Sequence, residues 1–396
     1  MISVDEAVQR VVAAFSPVAC ETVPIARAAG RVLAEDVTAR LNQPPFPVSA
    51  MDGYAARAAD VASVPIELTV IGSAPAGQPF ASEVREGEAV RIFTGGVVPR
   101  GADTIVIQEN TDQGHPRVTV HAASPAGKHI RPAAQDFHHG DVLVKTGRRL
   151  TARDLALIAA GDVPEITVTK RPRVLVAATG DELSRPGEPR KPGGIVASSV
   201  YGLCALIEQW GGAPRDIGIL RDEMESIAHI AETAADADLI VTLGGASVGD
   251  HDLIQRALGP RGFVLDFWKI ALRPGKPLIF GRLGITPLLG LPGNPVSAYV
   301  CALLFLKPAL AALLGANTES ETLTARLGAP MAANDSRQDY VRARTFHRSG
   351  ELWAEPFQVQ DSSMQKALAE ADVLIIRPPH APATREGNTV SVIRLE

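Results

Sequence analysis

The sequence predicts a multidomain protein of the α/β plus β class, and three observations carry that expectation. Strand-like and helix-like stretches alternate between about residues 172 and 314, the pattern of an open, mostly parallel sheet. Short β-like runs punctuated by glycine and proline fill roughly 50–145 and recur beyond 325, the pattern of small β units. The 396 residues, at about 150 per domain, imply two to four domains.

The chain opens with a helix signal. Ser3 and Glu6 have capping-box spacing, and Val4, Ala7, Val8, Val11 and Val12 recur at helical intervals. Leu41-Asn42-Gln43-Pro44-Pro45-Phe46-Pro47 then forbids regular structure, because each ring removes a backbone donor and restricts the residue before it. Runs at Ile66 to Ile71, Ala89 to Phe93, Thr104 to Gln108 and Arg117 to His121 predict a small barrel or sandwich. Thr151 to Ala160 predicts a second helix, expected to pack beside the first and so make the β unit an insertion. After Lys170-Arg171-Pro172, strands are predicted at Val174 to Ala178, Ile217 to Leu220, Leu239 to Leu243 and Leu288 to Leu291. Helices are predicted at Val200 to Trp210, Glu223 to Ala235 and Pro295 to Leu314. Asp339 to Phe346, Val373 to Arg377 and Thr389 to Leu395 predict a terminal β unit.

Composition narrows the function classes. Hydrophobic residues make up 46% and charged residues 21%, enough for buried cores. A net charge of −5 without any block of Lys or Arg argues against nucleic-acid or membrane-surface binding, so an anion site must be local. Cys20, Cys204 and Cys301 are too far apart for a metal motif and odd in number, which suits a reducing cytoplasm. The first residues lack the features of a signal peptide, and the apolar run Val296 to Leu306 stops at Lys307-Pro308, short of the roughly 20 residues a span requires.

Ligands of open parallel sheets lie beyond the carboxyl ends of the strands, and three successive ends here carry Gly, hydroxyl and carboxylate groups. These are Thr179-Gly180-Asp181-Glu182, Arg221-Asp222 and the run from Gly244-Gly245 through Ser247 to Asp250-His251-Asp252. Glycines let backbone N–H groups approach an anion, and carboxylates can hold Mg²⁺ on phosphate oxygens. Taken singly, each cluster also reads as a turn or helix cap. Lys269, Arg273 and Lys276 add three cations, and Leu291-Pro292-Gly293-Asn294-Pro295 opens a helix, a setting suited to an oxyanion. No P-loop, dinucleotide fingerprint or zinc spacing is present. Gly245-Ala246-Ser247-Val248-Gly249 matches a nucleophile elbow, but too few strands precede it and no Asp-then-His pair follows.

Six strings in order give a more specific reading: Ser49-Ala50-Met51-Asp52-Gly53-Tyr54-Ala55, Arg91-Ile92-Phe93-Thr94-Gly95-Gly96, Thr179-Gly180-Asp181-Glu182-Leu183, Gly-Gly-Ala-Ser-Val-Gly, Arg273-Pro274-Gly275-Lys276-Pro277 and Leu291-Pro292-Gly293-Asn294-Pro295. Together they closely resemble the molybdopterin molybdenumtransferase (MoeA) family, related to the C-terminal part of gephyrin. The resemblance implies four parts: a discontinuous helical/extended domain (1–48 and 134–170), an inserted β domain (49–133), a three-layer α/β molybdopterin-binding domain (171–322) and a C-terminal small β-barrel domain (323–396). It also implies a Mg²⁺-dependent transfer of molybdate into adenylylated molybdopterin with release of AMP, in a cytoplasmic homodimer whose sites lie between subunits. A molybdopterin adenylyltransferase and recipient molybdoenzymes are implied as further partners.

By the same resemblance, the catalytic positions are Asp52, Thr94, Asp136 and Glu182. Substrate or oxyanion positions are Arg131, Ser247, Lys269, Arg273, Lys276, Pro292 and Pro295, and metal positions are Asp222 and Asp252. Arg273 stands where some members have Lys, Ala133-Ala134-Gln135-Asp136 departs from the commoner pattern, and Gln360-Asp361-Ser362-Ser363-Met364 replaces a common Gly-Ser motif. Two alternatives stay open: an adenylyltransferase, whose stand-alone form would lack residues 1–170 and the terminal β unit, and a non-catalytic gephyrin-like scaffold.

Overall fold

The computed structural model describes residues 1–244, 250–317 and 322–395 and, in the helix that begins at Asp250, side chains from residue 253 onward. At its centre lies a six-stranded sheet ordered Ala213–Leu220, Arg173–Thr179, Leu239–Leu243, Thr286–Leu291, Pro277–Leu283 and Phe263–Lys269. The first four strands run parallel and are the four that the apolar runs predict. The last two are antiparallel and escape the sequence reading, because they are neither uniformly apolar nor separated by a helix.

Successive residues of the central strands feed opposite faces, as the period of two requires. Val174, Val176 and Ala178 join one core with Leu203, Phe305 and Leu310, whereas Leu175 and Ala177 join another with Ile227, Ile254 and Leu258. Helices Ser199–Gln209 and Pro295–Leu314 therefore cover one face, and Met224–Thr233 with Asp250–Leu258 cover the other.

Helix Val4–Ala13 is capped by Ser3, whose hydroxyl accepts from the Glu6 N–H. Its position corrects an expectation, for it does not pack beside Ala152–Ala160. Its apolar face, Val4, Ala7 and Val11, is part of the α/β core, Ile2 bridges to Ile270, and Arg10 lies 5.4 Å from the Phe267 ring centroid. Helix Ala152–Ala160 instead sets Ile158 among Val23, Leu33, Leu150 and Val168.

The helix predicted over Pro295 to Leu314 forms along its whole length, and a π turn at Ala302–Leu306 precedes Pro308, which sits in the first turn of the final helical segment. The resulting 20-residue helix is apolar and long enough to cross a membrane by composition, yet 67% of its most apolar window is buried inside the protein. It is the core helix of the α/β unit.

The chain enters and leaves a second sheet through a paired Val48–Ser49 and Ile130–Arg131. That sheet is five-stranded and mixed, ordered Thr104–Ile107, Gly53–Ala56, Glu88–Ile92, Ile66–Ala74 and Arg117–Val120, where a small barrel or sandwich is expected. It buries Tyr54 and Val106 on one face and Ala55, Ile92 and Ile105 on the other.

Beyond residue 322, Gln338–Arg348, Glu351–Pro356, Thr322–Leu327, Thr389–Arg394 and Val373–Arg377 pair in a ring that closes back on Gln338–Arg348. This five-stranded barrel gains a sixth member from outside, since Leu272–Arg273 pairs in parallel with Gln338–Asp339.

Gly53 sits between two neighbouring strands, and a Cβ there would lie 1.9 Å from the Val106 carbonyl oxygen. Gly53→Ala is expected to destabilise the protein by about 1–3 kcal/mol, seen as a lowered Tm in thermal unfolding; an unchanged Tm would contradict this packing.

Candidate functional site

The carboxyl ends of the parallel strands open into a cavity of about 660 Å³, lined among others by Thr179, Glu182, Asp222, Gly244, Pro292 and Pro295. Four of the positions implied by the resemblance, Glu182, Asp222, Pro292 and Pro295, are thus brought together. Gly244 lets the ends of two adjacent strands meet. Its φ is +88°, and a Cβ would lie 2.6 Å from the Thr179 carbonyl oxygen. Ser247 lies outside the described residues; Asp252 lies on helix Asp250–Leu258, with its side chain outside the description.

The barrel supplies the far wall. Ser363 lines the cavity, the Ser362 carbonyl accepts from the Val296 N–H at 3.1 Å, and the Ser362 hydroxyl accepts from Asn294 at 3.0 Å. Gln365 donates to Ser198 Oγ at 2.7 Å, so the segment 360–365 spans the starts of two helices. Arg342, 1% exposed, holds that segment from below by donating to the carbonyls of Asp361 at 2.9 Å and Met364 at 3.1 Å. Burial pulls its pKa down. Asp361 in turn accepts from the Ser363 N–H and hydroxyl, which hold its carboxyl below the usual range. Sequence reasoning missed Arg342, whose one signal is a cation at an inward position of a β-like run.

The three cations behave differently from one another. Lys269 and Lys276 flank a turn closed by the Ile270 N–H donating to the Lys276 carbonyl at 3.1 Å, and Pro277 beside Lys276 lines the cavity. Lys269 Nζ stands 3.6 Å from the Trp268 ring centroid. Arg273, by contrast, points its guanidinium at the barrel, where it pairs with Asp339, Asp335 and Asn334.

A second group lies around the Pro44–Pro47 segment. Arg131 and Asp136 line a separate cavity of about 610 Å³ with Gly95, Pro44 and Phe46. Next to Gly95, Asp52 accepts from the Thr94 N–H at 2.7 Å and the Thr94 hydroxyl at 2.8 Å. The Thr94 N–H, then its hydroxyl and the nearby Arg91, hold the Asp52 carboxyl below the usual range. Arg91 is itself fixed over the rings of Tyr54 and Phe93. The two cavities share no lining residue, so one chain presents the implied positions as two groups.

Among the described residues no cluster of three or more His, Cys, Asp or Glu could hold a metal ion unaided. Two carboxylates, Glu182 and Asp222, line the first cavity, a donor set that suits Mg²⁺, which keeps waters and substrate phosphates among its ligands.

Residues 2–161 match the family described as MoeA N-terminal region (domain I and II), 175–312 match a probable molybdopterin binding domain, and 324–395 match the MoeA C-terminal region (domain IV). The chain is 32% identical to a molybdopterin molybdenumtransferase of Haemophilus influenzae over 398 residues, covering 99% of this chain and 98% of that one. It is 38% identical to molybdopterin molybdenumtransferase 2 of Mycobacterium tuberculosis, over 86% of this chain and 87% of the relative. A solved molybdopterin biosynthesis MoeA protein of Pyrococcus horikoshii superposes with a TM-score of 0.87 at 28% identity, with both chains fully covered.

Since the two Thr94 bonds lower the Asp52 pKa, Asp52 adds stability above the ordinary carboxylate pKa and loses it as pH falls through the lowered value. Thr94→Val deletes one of the two bonds, and carboxyl-carbon NMR titration is expected to show the Asp52 pKa rising toward its ordinary value. No rise would remove the Thr94 hydroxyl as a cause.

Proposed function

The chain belongs to the molybdopterin molybdenumtransferase (MoeA) family and is an enzyme of molybdenum cofactor biosynthesis, and from that premise we propose that it transfers molybdate into adenylylated molybdopterin with release of AMP. The observation that carries the reading is the cavity at the strand ends, with carboxylates and helix starts around one opening and Pro277, next to Lys276, in its lining. Phosphates and molybdate are oxyanions. Lys269, Lys276 and the N–H groups near the strand ends supply positive potential for them, while Pro292 and Pro295 fix the turn that shapes the floor.

Asp222, with Asp252, would hold Mg²⁺ against the substrate phosphates, where the ion supplies charge neutralisation for the departing AMP. Glu182 lines the same opening and orients donors of the substrate by accepting their hydrogen bonds. Asp52, kept ionised by Thr94, together with Arg131 and Asp136, forms the complementary half of the site. The separation of the two groups within one chain supports a homodimer in which each cavity is completed by the partner's second group. Matches that run through residues 2–161 and 324–395 favour insertion over adenylyl transfer. A cytoplasmic setting suits three unpaired cysteines, of which Cys204 has its thiol pushed up to about 11 by burial.

Purified protein incubated with adenylylated molybdopterin, Mg²⁺ and molybdate is expected to release AMP, with release depending on molybdate. Asp52→Ala is expected to lower turnover at least about tenfold while leaving the protein folded, with the circular dichroism spectrum of the wild type. Molybdate-independent release, or wild-type turnover in the variant, would refute the reaction and the role respectively.

A further inference from the structure

We propose that Arg273 is a positioning residue that docks the cation-bearing turn onto the barrel, and not a ligand of the substrate oxyanion. The turn from Lys269 to Lys276 is tied down at several points. The Ala271 N–H donates to the Ile2 carbonyl at 2.9 Å, the Gln338 N–H donates to the Ala271 carbonyl at 2.9 Å, and Leu272–Arg273 runs as a short strand beside Gln338–Asp339. The side chain of Arg273 completes this attachment, and its bonds among the described residues are directed at the barrel: Nη1 donates to Asp335 at 3.2 Å, and Nη2 donates to Asn334 at 3.1 Å and to Asp339.

Asp339 is what locks the arrangement. It is 7% exposed, and its other oxygen has no hydrogen-bond partner among the described residues. A guanidinium that swung away toward a substrate would strip a buried carboxylate of its ion pair, a strongly unfavourable change. The planar fork also matches several acceptors at once, which a lysine ammonium does not do in the same geometry. Arg273 is held by the barrel, and the barrel thereby sets where Lys269 and Lys276 stand. The consequence for turnover rests on the reading of those two lysines as oxyanion-binding groups.

The test compares Arg273→Ala, Asp339→Asn, their combination and Asp335→Asn in the full-length protein, with circular dichroism to confirm folding. Hydrogen exchange is read at the amides of Ile270, Ala271 and Gln338, with Ile240 and Val241 as internal references. Both Arg273→Ala and Asp339→Asn are expected to speed exchange at the first three amides at least about tenfold and leave the references unchanged; unchanged exchange overturns the proposal whatever the activity. In the molybdate-dependent AMP-release assay, each single variant is expected to raise the molybdate KM, and the double variant to be no worse than the poorer single one. Asp335→Asn, at an exposed partner, is expected to give a smaller change in the same direction. If Arg273→Ala raises KM while folded Asp339→Asn and Asp335→Asn do not, Arg273 acts on the substrate directly and the proposal fails. If the wild type shows no molybdate-dependent release, the functional reading fails, and the positioning role is decided by exchange alone.

Discussion

The parallel register of four strands is the constraint from which the rest of the site follows. Thr179 is level with Leu220, Ala178 with Leu243, and Leu243 with Leu291. Four strand ends therefore finish along one edge, and Thr179, Glu182, Asp222, Gly244 and Asn294 at or beyond those ends line one opening. Parallel strands require crossovers, which place helices on both faces and bring the starts of Ser199–Gln209 and Pro295–Leu314 to the same edge. Apolar burial on both faces fixes this register, because a slip of one residue would exchange Val174 and Val176 with Leu175 and Ala177 between two cores of different shape.

Two arginines connect this edge to the barrel by different means. Arg342 is buried and spends its donors on backbone carbonyls, so it shapes the path of a segment without requiring a carboxylate nearby. Arg273 is half exposed and engages carboxylates, so it fixes the position of a turn through charge. The first arrangement is insensitive to salt; the second is partly screened at its exposed contact with Asp335 and little screened at Asp339.

Much of the fold was legible because the strongest signals are local. The four apolar runs are parallel strands since such strands are buried on both faces, and Ser3 caps a helix since its side chain is followed by helical periodicity. The partner of that first helix was not legible. Periodicity identifies an apolar face but not the surface that receives it, and here the receiver is more than 250 residues away. The antiparallel pair Phe263–Lys269 and Pro277–Leu283 was missed because glycine, proline and charge interrupt its pattern. At the site, strand-end logic located Glu182 and Asp222, and the resemblance located Asp52 and Thr94. Charge and the resemblance both group Arg273 with the lysines, since no sequence pattern reveals that a barrel carboxylate faces it.

The pairing of Leu272–Arg273 with Gln338–Asp339 has a consequence for how the protein is made. A ribosome releases the α/β unit well before the barrel, yet the ring that receives this short strand closes only when Thr389–Arg394 pairs with its neighbours. The cationic turn, already closed by Ile270 and Lys276 and tied to Ile2, therefore lacks its attachment to the barrel until the last strands emerge. The tie between the turn and the barrel is then a late event of translation, so a nascent or truncated chain with a fully packed α/β core would present its cations without the barrel contacts of Arg273.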